Sequence, residues 1–399
     1  MPNLKKGFMG AAGAGGAGDQ LYTWGAGTLA QLPEGSGTKV SRSSPIQITG
    51  PGSAPGTTGV TGARAWANAS LSGFVISEGN MYAWGHQTKG ILANNGATTS
   101  GPTYAPPFTQ IVGDQGWANL SNGCDRSTMH ATKQDGTLWA WGDGTMGMLG
   151  DGTTVNKSSV VQIGSLTDWG TSCKIRGSNM SVFALKSDGT LWGWGQNRFG
   201  SLGVNVDPAV TYSFSSPVQV ATGVADFGVA RYRAAMIKTD GTLFSWGHNS
   251  QGQVGTNNTT TYSSPVQIGS LTTWARIELT QNGASVIKTD GTFWAWGTGG
   301  DGYSPWGNTT TYSSPIQVGS LTDWAVPDAL TGAGTGFCTK TDGTLWGFGR
   351  NYPDILQTGT ATAKFSSPIQ IGTNTHYFAP NVFFGAGGGQ VVAMLKSAG

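Results

Sequence analysis

KTDGTFWAWG, Lys288 to Gly297, is written several times along this chain. KQDGTLWAWG starts at Lys133, KSDGTLWGWG at Lys186, KTDGTLFSWG at Lys238 and KTDGTLWGFG at Lys340. Weaker copies are SEGNMYAWG from Ser77 and DQLYTWG from Asp19. The seven closing glycines, Gly25, Gly85, Gly142, Gly195, Gly247, Gly297 and Gly349, are 60, 57, 53, 52, 50 and 52 residues apart. A period of that size marks a propeller or a solenoid.

The sharpest unit runs from Ser264 to Gly297 and reads as four short strands: PVQI, WARIEL, ASVIKT and TFWAWG. β-branched and aromatic residues fill these runs, and Gly, Asn and Asp punctuate them. Asp290-Gly291 predicts a two-residue type I′ hairpin turn between the last two strands. Four antiparallel strands are the content of one propeller blade. The chain ends in VVAMLK, a third strand without its partner, and its first repeat, LYTWG, is a fourth strand without a third. Pairing the two closes the ring. The expected fold is all-β: a seven-bladed β-propeller, four antiparallel strands per blade, with the last blade closed by N- and C-terminal strands.

Fifteen of the 16 tryptophans occupy repeat positions, which assigns them to packing between blades rather than to a ligand platform. The residue between the two strand aromatics is small in every copy (Thr23, Ala83, Ala140, Gly193, Ser245, Ala295, Gly347), as close approach of a neighbouring blade would require. Charged residues make up 11% and the net charge is +2, with no Lys/Arg run, which argues against nucleic acid as the main partner. No apolar stretch reaches the roughly 20 residues of a membrane helix, so membrane insertion is not expected. Cys124, Cys173 and Cys338 share no repeat position and read as unpaired thiols.

WGQNRFGSLG from Trp194 and WGHNSQGQVG from Trp246 resemble the W-G-x-N-x-x-G-Q-L-G signature of the RCC1 (regulator of chromosome condensation) repeat family, and WGDGTMGMLG from Trp141 is a looser match. The resemblance spans residues 19–399 and implies the same seven-bladed RCC1-like fold. Exchange factors, ligase-associated modules, photoreceptors and enzyme inhibitors all use it, so the fold alone leaves function open. The G-x-x-H pair usual before the hairpin is missing. In style the chain looks like the RCC1-repeat structural proteins of marine bacteriophages, which begin with a short Gly/Ala-rich segment. That resemblance implies a virion structural or adhesion protein, meeting other virion proteins or a host-surface receptor. Residues 1–18 would be the docking tail, with Lys5, Lys6, Phe8 and Met9 as its contacts, and the virion would be the location. The alternatives are a free, cytoplasmic protein-binding module of the exchange-factor or inhibitor type, and a carbohydrate-binding propeller.

Chemistry is sparse. The four histidines, His86, His130, His248 and His376, lack metal-ligand spacing within a unit, and the repeated aspartates have hairpin duty. No catalytic residue, metal site or cofactor is expected. If strands alternate direction, the near-uniform GSLTD and DG turns share one face and the variable loops the other. Recognition belongs on the variable face. Its candidate contacts are Arg198, Phe199, Arg231, Tyr232, Arg233, Tyr303, Trp306 and Tyr352, chosen because Trp, Tyr and Arg dominate interface energetics.

Overall fold

The computed structural model describes residues 72–121 and 127–373, apart from positions 78, 96–102, 112–114, 179, 281–282, 301–303, 329–334, 352–355, 357 and 361–362, together with strands Gln20–Gly25, Arg42–Gln47, Ala63–Ala69 and Gln390–Leu395. The docking tail expected at residues 1–18 lies outside the described residues, as do Tyr303 and Tyr352. Six four-stranded antiparallel sheets follow one another along the chain, spanning residues 63–110, 117–162, 174–221, 224–267, 274–317 and 324–370. We number them first to sixth and letter their strands a to d in chain order. A seventh, three-stranded sheet joins the two ends of the chain. The all-β propeller architecture implied by the repeat is the one observed.

The phase of the unit differs from the sequence reading by one strand. Tyr262–Gln267, which holds PVQ, pairs with Leu243–Gly247 before it (Ser245 opposite Val266), and Trp274–Leu279 starts a new sheet. The long loop after Trp-Gly folds the chain back against strand c. The GSLTTW turn instead carries it across to the inner edge of the next sheet. Strand d is therefore the outer edge, where Pro265, lacking an N–H, interrupts no ladder. The same shift applies at the closure. Gln390–Leu395 and Gln20–Gly25 do pair, with Val392 opposite Thr23, but as strands b and c, and Arg42–Gln47 adds strand d.

The hairpin turn is also different in kind. The Gly241 N–H donates to the Lys238 carbonyl at 2.9 Å, and the Lys238 N–H to the Thr242 carbonyl at 2.9 Å, a pattern repeated at Lys133, Lys186, Lys288 and Lys340. Only the glycine has positive φ (+80° at Gly241), so this is a three-residue loop with a glycine bulge rather than a type I′ turn. The aspartate stays right-handed because its Oδ1 accepts both the amide and the hydroxyl of the following threonine, at 2.9 and 2.6 Å for Asp240 and Thr242. Those two hydrogen bonds, the hydroxyl's first, hold the Asp240 carboxyl below the usual carboxylate range. The Trp274 N–H donates to the Gly241 carbonyl at 3.3 Å, which places the GSLTT and DG turns on one face as expected.

Adjacent sheets are joined by the tryptophan before the closing glycine. The indole N–H of Trp141 donates to the Ile91 carbonyl (2.7 Å), Trp194 to Met148 (2.9 Å), Trp246 to Ser201 (2.9 Å) and Trp296 to Gln253 (2.9 Å). Each acceptor lies in the loop between strands c and d of the preceding sheet. Under three of these indoles, Trp194, Trp246 and Trp296, sits the last glycine of the ten-residue signature, and the first sheet has Ala93 (φ +49°) at that place. A Cβ at Gly203, where φ is +73°, would lie 2.5 Å from Trp246 Nε1. All four rings are fully buried.

Trp117, Trp169, Trp274 and Trp324, just ahead of or opening strand a, are buried as well, so the core-packing assignment holds for both sets. The small residue between the strand-c aromatics has a different cause from the one expected. A Cβ at Gly193 would meet Phe183 (3.1 Å) and Val220 (3.2 Å), both in its own sheet rather than in a neighbour.

Two predictions follow from this packing. Trp246→Phe keeps the ring but removes the N–H, and should lower unfolding free energy by about 1–2 kcal/mol in a urea titration. Gly203→Ala should cost about 2 kcal/mol or more through the same contact. His130 supplies the second. It is fully buried, its Nε2 lies 3.1 Å from the Met148 carbonyl, and burial lowers its pKa from 6.5 to about 4. The unfolded chain therefore binds a proton that the folded chain refuses, and stability falls as pH drops from about 6.5 toward about 4. The loss should reach roughly 2–3 kcal/mol, seen as a falling urea midpoint, and His130→Gln should flatten it.

Candidate functional site

Charge and aromatic side chains gather where the variable loops of the third and fourth sheets meet. Arg198 and Phe199 occupy a 3-10 turn after strand c of the third sheet. Arg231 and Tyr232 form the two-residue turn between strands a and b of the fourth, since Ala230 and Arg233 are paired on either side of them. His248 follows the closing Trp246-Gly247, and its N–H donates to the Tyr232 carbonyl at 2.9 Å. Five of these side chains come together: the Phe199 ring lies 5.5 Å from Tyr232 and 4.6 Å from His248, and Arg198 stacks 4.9 Å from Phe199 and 5.2 Å from Tyr232. Arg231 also lies 5.2 Å from the Tyr232 ring.

Phe199 (φ +59°) and Tyr232 (φ +61°) are both left-handed, a conformation costing a side-chain-bearing residue about 1 kcal/mol. Lys89 (φ +52°) and Met146 (φ +59°), at the same place of the first and second sheets, share the conformation of Phe199. The electrostatics are one-sided. Arg198 and Arg231 are exposed, and neither has a carboxylate partner among the described residues. Partial burial works to raise the Tyr232 phenol, yet its pKa falls, because hydrogen bonds and charge from Arg231 and Arg198 favour the phenolate. His248 is lowered by burial and then by Arg233, Arg198 and Arg231, so it is neutral at pH 7. The patch is a positive, aromatic surface whose two exposed arginines share the Tyr232 hydroxyl and face no carboxylate among the described residues.

The other sequence candidates are placed differently. Arg233 is buried, and its guanidinium donates to the backbone carbonyls of Gln253 (2.7 Å) and Thr280. It ties the fourth sheet's strand b to the start of the fifth. Trp306 is half-buried at the joint of the fifth and sixth sheets, donating to the Thr310 carbonyl (3.0 Å) with its ring 5.5 Å from Tyr312. The structure thus brings Arg198, Phe199, Arg231 and Tyr232 together, and sets Arg233 beneath them and Trp306 apart. His248, which the sequence marks only as lacking metal-ligand spacing, lies beside Phe199, a place with no signal in the repeat.

Sequence reasoning also missed a second group of charges. Lys174 and Arg176 on strand a of the third sheet, Asp226 on that of the fourth and Glu278 on that of the fifth form two ion pairs, Lys174–Asp226 and Arg176–Glu278. The second pair skips a sheet, which only residues on the inner side of the ring can do. Asp226 Oδ2 also accepts the Ile277 N–H at 3.0 Å. Burial opposes ionisation of Asp226, but Lys174 and Arg176 outweigh it and its pKa is lowered; burial prevails at Glu278, whose pKa is raised. With every charge answered, this group holds three sheets in register rather than awaiting a ligand. Among the described residues no three His, Cys, Asp or Glu side chains gather as a metal site.

Residues 240–279 match the family model described as "Regulator of chromosome condensation (RCC1) repeat". The chain is 25% identical to the human E3 ubiquitin-protein ligase HERC2 over 252 residues, 63% of this chain and 5% of HERC2. It is 28% identical to the ultraviolet-B receptor UVR8 of Arabidopsis thaliana over 197 residues, 47% of this chain and 42% of the receptor. It therefore spans only a small part of the ligase and less than half of the receptor. In fold it is similar to Prp20p of Saccharomyces cerevisiae, with a TM-score of 0.74, 14% identity and coverage of 96% and 93%. It is also similar to human WBSCR16, with a TM-score of 0.73, 14% identity and coverage of 95% and 99%.

The division between patch and scaffold is checked by stability. Arg233→Met should lower unfolding free energy by about 3 kcal/mol, because it leaves buried carbonyls unpaired. Arg198→Ala and Arg231→Ala should each stay within about 0.5 kcal/mol of the parent in the same urea titration.

Proposed function

From RCC1 repeats set in an RCC1-like propeller, we propose a non-catalytic protein-binding module that meets an acidic surface of its partner through the loops of the third and fourth sheets. The single observation that carries this reading is the Arg198, Phe199, Arg231 and Tyr232 patch, whose cations lack carboxylate partners among the described residues. Arg and Tyr are the side chains that dominate interface energetics, and stacking on aromatic rings pre-orients each guanidinium, so less freedom is lost on binding. A carboxylate brought to such a site gains charge-assisted, bidentate hydrogen bonds.

The relatives support a free regulatory module over the virion role. HERC2 and UVR8 are named as a ligase and a receptor, and the Prp20p structures concern its binding to Gsp1p and histones and a complex with Kap60. A virion component mounted by residues 1–18 remains the finer reading implied by the likeness to phage proteins, and its docking contacts fall outside the described residues.

Affinity capture from the source organism, with the parent chain and an Arg198→Ala/Arg231→Ala double variant as parallel baits, tests the proposal. The expected result is at least one protein held by the parent and lost from the variant, with weaker capture at higher salt. Equal recovery of every captured protein by the two baits would refute it. Binding of that partner should also raise the pKa of His248, since a carboxylate nearby offsets the three arginines. This can be followed by the pH dependence of its ring proton shifts, and an unshifted titration would place the contact elsewhere.

A further inference from the structure

Among the five K-x-D-G turns, four are built alike and one departs. In four sheets the lysine of the K-x-D-G turn lies against two tryptophan rings: Lys133 on Trp117 and Trp139 (4.9 and 4.0 Å), Lys186 on Trp169 and Trp192 (4.4 and 4.9 Å), Lys288 on Trp274 and Trp294 (5.0 and 3.8 Å), and Lys340 on Trp324 and Trp346 (5.2 and 4.5 Å). In each of these the strand-c tryptophan also donates its ring N–H to the turn threonine, at 2.7 to 3.0 Å. The turn thus builds a small site for indole, with an ammonium over the ring face and a hydroxyl at its N–H.

The fourth sheet keeps the lysine and the threonine but has lost both indoles. Val224 stands opposite Lys238 where Trp274 stands opposite Lys288, and Phe244 replaces the strand-c tryptophan. The turn into this sheet is also two residues shorter: Pro217 to Val224 is seven positions, against nine from Pro265 to Trp274. Lys238 is left 5.8 Å from a single ring and donates to the Thr222 carbonyl at 3.0 Å. Thr242 still donates to Asp240 but has no ring N–H to accept from Phe244. A cleft of about 440 Å³ opens at this joint, walled by Gln219, Val220, Ala221, Thr222, Met236, Lys238, Phe244 and Pro265.

We propose that this cleft binds a tryptophan side chain of a partner polypeptide, which supplies the strand-a ring the fourth sheet lacks at Val224. The chemistry matches on both counts. Phe244, Met236 and the aliphatic groups of Val220, Ala221 and Pro265 favour a flat ring, and Gln219 and Thr222 beside them suit one with a polar edge. The ammonium has one carbonyl and one distant ring against it, and attraction to a ring face is strongest for indole. The site lies on the opposite face from the arginine patch, so it does not depend on the function proposed above.

The test uses the full chain with N-acetyl-L-tryptophanamide as the probe, in ligand-observed saturation-transfer NMR and by the Met236 methyl resonance of methionine-methyl-labelled protein. The expected result is saturable binding that shifts the Met236 methyl, with N-acetyl-L-leucinamide far weaker. Phe244→Trp restores the residue found in the other four K-x-D-G sheets, should leave the melting temperature no lower, and should weaken probe binding about tenfold or more by filling the cleft. Lys238→Ala should weaken it about three- to tenfold. Absence of probe binding, equal binding of the leucine compound, or unchanged binding by Phe244→Trp would each overturn the proposal.

Discussion

One hydrogen bond recurs from sheet to sheet: a buried indole N–H reaching back to a carbonyl in the loop of the sheet before it. A propeller sheet has no covalent hold on its neighbour beyond a single turn, so packing between sheets must supply the rest. The indole does this with ring area and one directed polar group, and leaves no buried N–H unanswered at that position. The constraint passes to the loop, which must present its carbonyl at a fixed height and leave room for the ring. Glycine under the indole and the asparagine that braces the loop follow from that demand. Asn249 accepts the Val254 N–H at 2.8 Å and donates to the Asn258 and Thr260 carbonyls.

The constraint also explains where the repeat is allowed to drift. In the sixth sheet Phe348 replaces the indole, and the loop that would receive it carries Pro305 in place of the glycine at 255. Ring N–H and glycine disappear together, and Trp306 fills the joint beside them. The residues between the asparagine and the glycines, such as Arg198 and Phe199, serve neither bond and vary freely. A scaffold held by backbone acceptors leaves its loop side chains available for recognition.

Much of the architecture was legible because glycine and tryptophan positions repeat with a fixed period, and the pairing of Leu21–Gly25 with the C-terminal strand could be read from two incomplete units. The phase could not be read. Choosing the sheet to which PVQI belongs depends on which loop returns and which crosses, and both are short and polar. The turn type was misjudged because Asp-Gly suits two hairpin geometries. The threonine at 242 and its counterparts, by binding the aspartate, select the bulged one. At the candidate site, Arg198, Phe199, Arg231 and Tyr232 were legible as a departure from the repeat. Arg233 was inseparable from them in sequence, since nothing in ARYR says which arginine turns inward. The paired charges Lys174–Asp226 and Arg176–Glu278 lie 52 and 102 residues apart, and no local pattern links them.

The most direct test of this account is the hydrogen–deuterium exchange of the indole protons, resolved by nitrogen-labelled tryptophan NMR. The account predicts that the N–H groups of Trp141, Trp194, Trp246 and Trp296 outlast those of the half-buried Trp139, Trp192, Trp294 and Trp346, and exchange only with opening of the sheet-to-sheet joint. If those four exchanged as fast as the half-buried set, the bonds joining the sheets would not exist in solution, and the ring would have to be held by something else.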